Sequence, residues 1–245
     1  MELKLLHFYP DLMSLYGSYA NLALLARHLT DLGNRVSVEA VRPGEAISAA
    51  DADFWFMGAG TERSQQAALE DFVRYAAAAR TAAANGTAML FAGTAMELIG
   101  RTVTDADGTV REGIGLGPFV SVQGRRRFVG DVYGKTALYE PAVVGFMNKC
   151  AVISGVKTPL LTSLAMGFGN EREGGAEGFR QNNVLASELT GPILVKNPLL
   201  LGAVIAAIYA RRGQPLPAEI PAYPYEEQAY AVTAQQLKLR AESSR

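Results

Sequence analysis

Cysteine and histidine are nearly absent from this chain of 245 residues, which has one cysteine, Cys150, and two histidines, His7 and His28. A single cysteine excludes an internal disulfide framework and suits a reducing cytoplasm. So few soft ligands argue against a structural zinc cluster, and nothing in the sequence calls for a metal or cofactor. Excess charge is also missing. Lysine and arginine number 23 against 24 acidic residues, a net −1 with a pI near 6.2. That balance provides no electrostatic case for nucleic acid or an anionic membrane. The short basic run Arg125–Arg127 reads as a solvated loop or a small anion contact. Apolar runs such as 199–209 are too short to span a bilayer. No signal segment is visible at 1–6, where charged residues are interspersed with apolar ones before Tyr9-Pro10-Asp11. A cytoplasmic protein is the expectation.

What is present is an alternation of strand and helix patterns. Residues 3–8 and 35–41 have strand character, and between them Leu22, Leu25, Leu29 and Leu32 recur at helical spacing before Gly33, a plausible stop. Phe54-Trp55-Phe56-Met57 is a continuous apolar run ending in glycines, as a parallel strand buried on both faces should be. A helix is predicted over 65–84, with Thr61 and Ser64 as candidate caps, and a strand over 87–91. Such β-α-β order predicts an α/β fold with a mostly parallel sheet flanked by helices. From 102 to 155, Gly, Thr and Val with short strands and turns predict an antiparallel extension. Pro198 should open a last core helix over 199–210. The expected organisation is one domain over 1–213, a stiff linker over 214–224 with four prolines, and a C-terminal helix with a fraying tail over 225–245.

The stretch "NGTAMLFAGTAMELIG" (85–100) reads as a buried strand, a sharp turn and a helix. Chains built this way usually carry a nucleophile on the turn, yet here the turn holds Ala92, Gly93 and Thr94. Other segments supply a context: "YPDLMSLYGSYANL" (9–22), "GAGTERSQ" (58–65), "GIGLGPF" (113–119), "RFVGD" (127–131), "GFMNK" (145–149) and "TGPILVKNP" (190–198). Together, in this order, they resemble the class I glutamine amidotransferases of the cobyric acid synthase type. Within that family they most resemble the glutaminase subunit of lipid II isoglutaminyl synthase. The resemblance runs from residue 5 to about 205.

It implies a glutaminase whose two reacting residues are replaced. The family elbow Gly-Thr-Pro-x-Leu-x-x-Cys-Gly-Gly-Tyr-Gln-Leu-Leu-Gly, laid on 86–100, puts Gly93 at the nucleophile. The closing His-Gly-Pro motif puts Thr190 at the general base. A glutaminase needs a thiolate to attack the amide and an imidazole to carry its proton to ammonia. Met147 and Lys149, and Met96-Glu97 in place of the elbow's Tyr-Gln, also depart from the pattern, so the loss reads as native.

The resemblance also places Arg127 where the family holds its glutamine, although a loop arginine is an equal reading. Gly58 and Gly60 are either oxyanion donors through their N–H groups or simply a tight turn. Thr94 stands beside the elbow, but a hydroxyl needs a base, and no histidine follows His28. His7 and His28 read as ordinary surface or interface residues, and Cys150 as a small buried hydrophobe. The segment 167–183 keeps the family's Gly-x-Gly-Asn and Glu-Gly spacing and reads as a mobile surface loop.

Three functions stay open on this evidence. The first is a catalytically silent subunit that scaffolds or regulates a Mur-ligase-like ATP-dependent partner in cell-wall precursor amidation. The second is an active enzyme using Thr94, Glu97, Arg127 or Cys150. The third is a sensor that binds glutamine or another amino acid.

Overall fold

In the computed structural model, which describes residues 1–47, 51–171, 175–218, 221 and 223–243, the apolar run 54–57 is the centre of the molecule. It forms strand β3 (Phe54–Met57), buried along its whole length. Alternate side chains of a strand point to opposite faces, so a strand covered on both sides must be apolar at every position. Trp55 and Met57 enter one core with Phe8, Leu69, Phe72, Met89 and Phe91. Phe54 and Phe56 enter the other with Leu5, Leu25, Leu90, Leu201 and Ile205.

Around β3 stand β1 (Glu2–Phe8), β2 (Arg35–Val41), β4 (Ala88–Ala92), β10 (Phe179–Gln181) and β11 (Val184–Ser187), in the spatial order β10-β11-β4-β3-β1-β2. Every pairing is parallel except β10 with β11. One core is roofed by α2 (Glu62–Phe72), a 3₁₀ turn (Val73–Tyr75) and α3 (Ala76–Ala84). The other is roofed by α1 (Ala20–Asp31), α5 (Ile193–Lys196) and α6 (Pro198–Arg211). Helix α2 starts three residues before the expected 65 because Thr61 is the cap, its side chain accepting from the Ser64 N–H. The 3₁₀ turn divides the expected single helix in two.

The expected antiparallel extension is a second sheet. It contains β5 (Thr102–Thr104), β6 (Val110–Glu112), the long pair β7 (Val120–Thr136) and β8 (Val143–Ser154), β9 (Leu161–Met166) and β12 (Leu189–Thr190). Its pairings are antiparallel apart from β5 with β7. Helix α7 (Pro224–Ser243) begins on the last linker proline and is tied back to the body. Tyr230 Oη donates to the Ala142 carbonyl (2.6 Å), Arg240 pairs with Asp131, and Leu237 and Ala241 are buried. Residues 219, 220 and 222 of the linker, and 244–245 of the tail, lie outside the described residues.

Both histidines, expected as ordinary surface or interface residues, are buried. His7 lies against Phe56 with a ring separation of 5.2 Å, and burial lowers its pKa to about 4. His28 is buried between α1 and α7, its ring stacked on Tyr223 at 3.6 Å. Among the described residues, no helix is long and apolar enough to cross a membrane.

Candidate functional site

Strand β4 ends at Ala92, and the chain reverses through Gly93 (φ +63°) into the short helix α4 (Ala95–Leu98). This is a strand-turn-helix elbow with its apex in the left-handed region, where an L side chain is strained. The Gly93 N–H donates to the Ser187 carbonyl at the end of β11 (2.7 Å). A Cβ at Gly93 would stand 2.6 Å from the Ala59 methyl, well inside van der Waals contact. The space a nucleophile's first carbon would need is therefore occupied.

Ala59 is held there by its own loop. Gly58, Ala59 and Gly60 follow β3 and lie directly under the segment 13–18. A Cβ at Gly58 would meet Ser18 Oγ at 2.2 Å, and one at Gly60 would meet Met13 Sδ at 2.5 Å. The glycines are required by this close approach. Leu15 N–H bonds the Ala59 carbonyl (2.8 Å), and the Ala59 N–H points to Ser18 Oγ (3.3 Å). Thr94 Oγ1 accepts from the Gly60 N–H (2.9 Å) and donates to the Gly60 carbonyl (3.1 Å). The Gly60 N–H, a candidate oxyanion donor, is thus satisfied inside the protein, and so is the Thr94 hydroxyl. Thr190, on β12, is buried, and its hydroxyl donates to the Phe146 carbonyl on β8 (3.2 Å). The fold brings Gly93, Thr94 and the 58–60 loop together.

Behind the elbow lies a polar network that the sequence analysis did not anticipate. Gln65 Nε2 donates to the Thr94 carbonyl (2.8 Å). Gln123 Nε2 donates to Gln65 Oε1 (2.7 Å) and to Glu97 Oε2 (3.0 Å). Lys149 reaches in from β8, pairing with Glu188 at 2.5 Å and donating to the carbonyls of Gly169 (2.7 Å) and Asn170 (3.1 Å). Glu177 accepts from the Ser187 hydroxyl and the Glu188 N–H. Burial, reinforced by the Glu188 carboxylate, pushes Glu97 up to about 8. Burial likewise pushes Glu177 up to about 7. Burial also raises Glu188, against the pull of Lys149. The only signal of this network in the sequence was a charge set in each of three apolar runs: Lys149 in "FMNKCAVI", Glu188 in "VLASELTG" and Glu97 in "GTAMELIG".

Arg127 sits elsewhere, on the rim of an open cleft of ≈ 410 Å³ shared with Glu62, Gln66, Asp105, Gln123 and Cys150. Its guanidinium donates to Glu62 Oε1 (2.6 Å) and Asn148 Oδ1 (2.7 Å), and Asn148 in turn donates to the Tyr16 hydroxyl (2.7 Å). Gly93, Thr94 and Thr190 do not line this cleft. Cys150 lies 3.5 Å from Glu62 Oε1, and burial together with the Glu97 and Glu62 carboxylates pushes its thiol up to about 12. That thiol stays protonated near neutral pH and is a poor nucleophile. The described ends of the 167–183 segment are pinned: Asn170 and Gly178 exchange hydrogen bonds of 2.8 and 2.9 Å. Residues 172–174 lie outside the described residues.

An elbow after a parallel strand, faced by a glycine loop and backed by a second sheet, is the architecture of a glutamine amidotransferase. The sequence matches the CobB/CobQ-like glutamine amidotransferase domain over residues 4–198, and the chain belongs to that family. It is similar to the lipid II isoglutaminyl synthase (glutamine-hydrolyzing) subunit GatD of Staphylococcus aureus (strain N315), 28% identical over 224 residues. That match covers 89% of this chain and 90% of the relative. The subunit of the same name from Streptococcus pneumoniae (strain ATCC BAA-255 / R6) is 28% identical over 226 residues, covering 91% and 86%. In fold, the chain is similar to a glutamine amidotransferase from Thermotoga maritima, with a TM-score of 0.50 at 8% identity over 98% of this chain and 92% of that one.

Proposed function

We propose that this protein is a cytoplasmic glutaminase-type subunit that has lost glutamine hydrolysis. In this reading it scaffolds or regulates a Mur-ligase-like ATP-dependent partner in the amidation of a cell-wall precursor. The observation that carries this reading is the elbow itself. Its apex is Gly93 at φ +63°, with the Ala59 methyl 2.6 Å from where a Cβ would begin. The base position, Thr190, holds a hydroxyl already bonded to a backbone carbonyl. Both positions are thus occupied by contacts that leave no reacting group, which supports a subunit without its own hydrolysis. A surface can persist after chemistry is abandoned, and the similar lipid II isoglutaminyl synthase subunits point to the pathway. The partner ligase then takes free ammonia or another amine.

Reuse of neighbouring residues for catalysis fits poorly. Thr94 Oγ1 is bonded on both sides to Gly60, Glu97 is buried in an amide network, and the Cys150 thiol is protonated. A second reading, an amino-acid sensor, is favoured by the cleft at Arg127, which Arg125, Asp105 and Asp107 also line, so charges of both signs border a space that could take a zwitterion.

Two experiments test these readings. Affinity purification from the native cells at natural expression is expected to recover a stoichiometric Mur-ligase-like protein; recovery of the chain alone counts against the scaffold. The isolated chain is expected to release no ammonia from L-glutamine, and release abolished by Cys150→Ser would sink the silent-subunit reading. Calorimetric titration with glutamine separates the sensor, which binds without turnover and loses binding in Arg127→Ala.

A further inference from the structure

Helices α1, α6 and α7, with Leu216, Pro221 and Tyr223, border an open cavity of ≈ 420 Å³, at whose rim Leu199, Gly202, Leu216 and Glu227 are exposed. This is the size of a small-molecule pocket, which runs from roughly 300 to 1,000 Å³. Its walls are Leu32, Leu199, Leu201, Ile205 and Leu216, with Gly202 between them.

Gly202 lies inside α6, where glycine is among the least favourable residues for the helix. Packing does not require it. Among the described residues, no atom comes within 4 Å of where its Cβ would stand, and no left-handed backbone demands it. An ordinary helix-forming residue here would project into the cavity. The glycine therefore keeps this space open against the helix's own preference.

The other end of the cavity is polar, and its donors are already used. Tyr223 Oη donates to Asp31 (2.6 Å) and Tyr230 Oη to the Ala142 carbonyl (2.6 Å). His28 Nε2 lies 3.2 and 3.1 Å from the two oxygens of Glu226. Arg27, over the Tyr223 ring, is paired with Asp31. Glu226 lies against the imidazole and the exposed Glu227 lines the same end, so what this end still offers is acceptor capacity and negative charge.

We propose that this cavity binds a small amphiphilic amine, its apolar body against Leu201, Gly202 and Ile205 and its ammonium group at Glu226–Glu227.

The test uses 1-octylamine as the probe on the full chain, with 1-octanol and octanoate as comparisons, by calorimetry and saturation-transfer NMR. Octylamine is expected to bind at least tenfold tighter than octanoate, with transfer between its methylenes and the Tyr223 and Tyr230 rings. Gly202→Leu is expected to weaken octylamine at least tenfold while raising Tm by about 2 °C, since it improves the helix and meets nothing. Glu227→Gln is expected to weaken the amine several-fold and leave the alcohol unchanged. Absence of octylamine binding overturns the proposal. So does binding unaltered by Gly202→Leu, or octanoate binding as tightly as the amine. If Gly202→Leu unfolds, its side chain has met atoms where the structure has open space, and the proposal falls as well.

Discussion

Restoring the family's reacting residues, Gly93→Cys with Thr190→His, should not restore a glutaminase, because the obstacle at the elbow is steric as well as chemical. A Cβ at position 93 would stand 2.6 Å from the Ala59 methyl. Carbon atoms settle about 3.5–4.0 Å apart, so something must move by about 1 Å. Ala59 cannot recede freely, since its N–H, its carbonyl and both flanking glycines are packed against Met13, Leu15 and Ser18. Overpacking of this kind costs about 1–3 kcal/mol. Placing a cysteine at φ +63° adds about 1–2 kcal/mol of backbone strain. The expected total for Gly93→Cys is about 3 kcal/mol, or about 6–12 °C in Tm for a chain of this size. Ala59→Gly removes the contact and not the backbone strain, so Gly93→Cys/Ala59→Gly should regain about half of the loss. The assay is a thermal scan of the series, with ammonia release from L-glutamine measured in parallel. Only the triple variant Gly93→Cys/Thr190→His/Ala59→Gly has both reacting groups and room for the thiol. A Gly93→Cys protein as stable as the parent, or no recovery on adding Ala59→Gly, would refute the steric reasoning.

The buried ion pair and the buried carboxyls provide two further tests. Lys149→Met leaves Glu188 without its cation inside the protein and should cost about 3–5 kcal/mol, whereas Lys149→Met/Glu188→Leu should recover most of it; urea unfolding of both variants decides. For pH, Glu97 (about 8) and Glu177 (about 7) lie above the unfolded carboxylate range, so the folded chain holds the extra protons and stability falls as pH rises through those values. His7, lowered to about 4, works the other way, with stability rising from about pH 4 to its ordinary 6.5. One histidine offsets only one of the two carboxyls, so the decline should begin above the ordinary carboxylate range and run unopposed between about pH 6.5 and 8, where Glu97→Gln, which puts the family's glutamine there, should reduce it; a Tm equal at pH 6.5 and 8 in the parent would contradict the assignment.

Local patterns carried much of this protein. The double-faced burial of 54–57 followed from its unbroken apolar run, the start of α6 from Pro198, and the cap of α2 from Thr61, because each is decided within a few residues by strand alternation, a locked φ or one side-chain hydrogen bond. The elbow was legible for the same reason: strand, turn and helix are contiguous, so the turn could be placed at 92–94 before any fold was known. That Gly93 and Thr190 stand where the family holds its reacting residues rests on the family pattern alone.

What the chain's order could not reveal is what faces what. Ala59 and Gly93 are far apart in sequence, and nothing local to either says that a methyl of one fills the space of the other. Lys149 read as a substitution and Glu97 as part of an elbow; only the pairing of β8 with β12, just past Glu188, sets Lys149 against Glu188, and only the packed fold makes Glu97 a buried acid. His28 read as an ordinary surface or interface residue because the helix that buries it lies almost 200 residues downstream, at Glu226. The sequence by itself determined the elements, their α/β order and the place of the elbow, since these depend on short-range periodicity and backbone preference. The Ala59–Gly93 contact, the buried charges and the cavity beneath α7 were decided by tertiary structure alone, because each depends on the distance between residues that only the packed sheets and helices bring together.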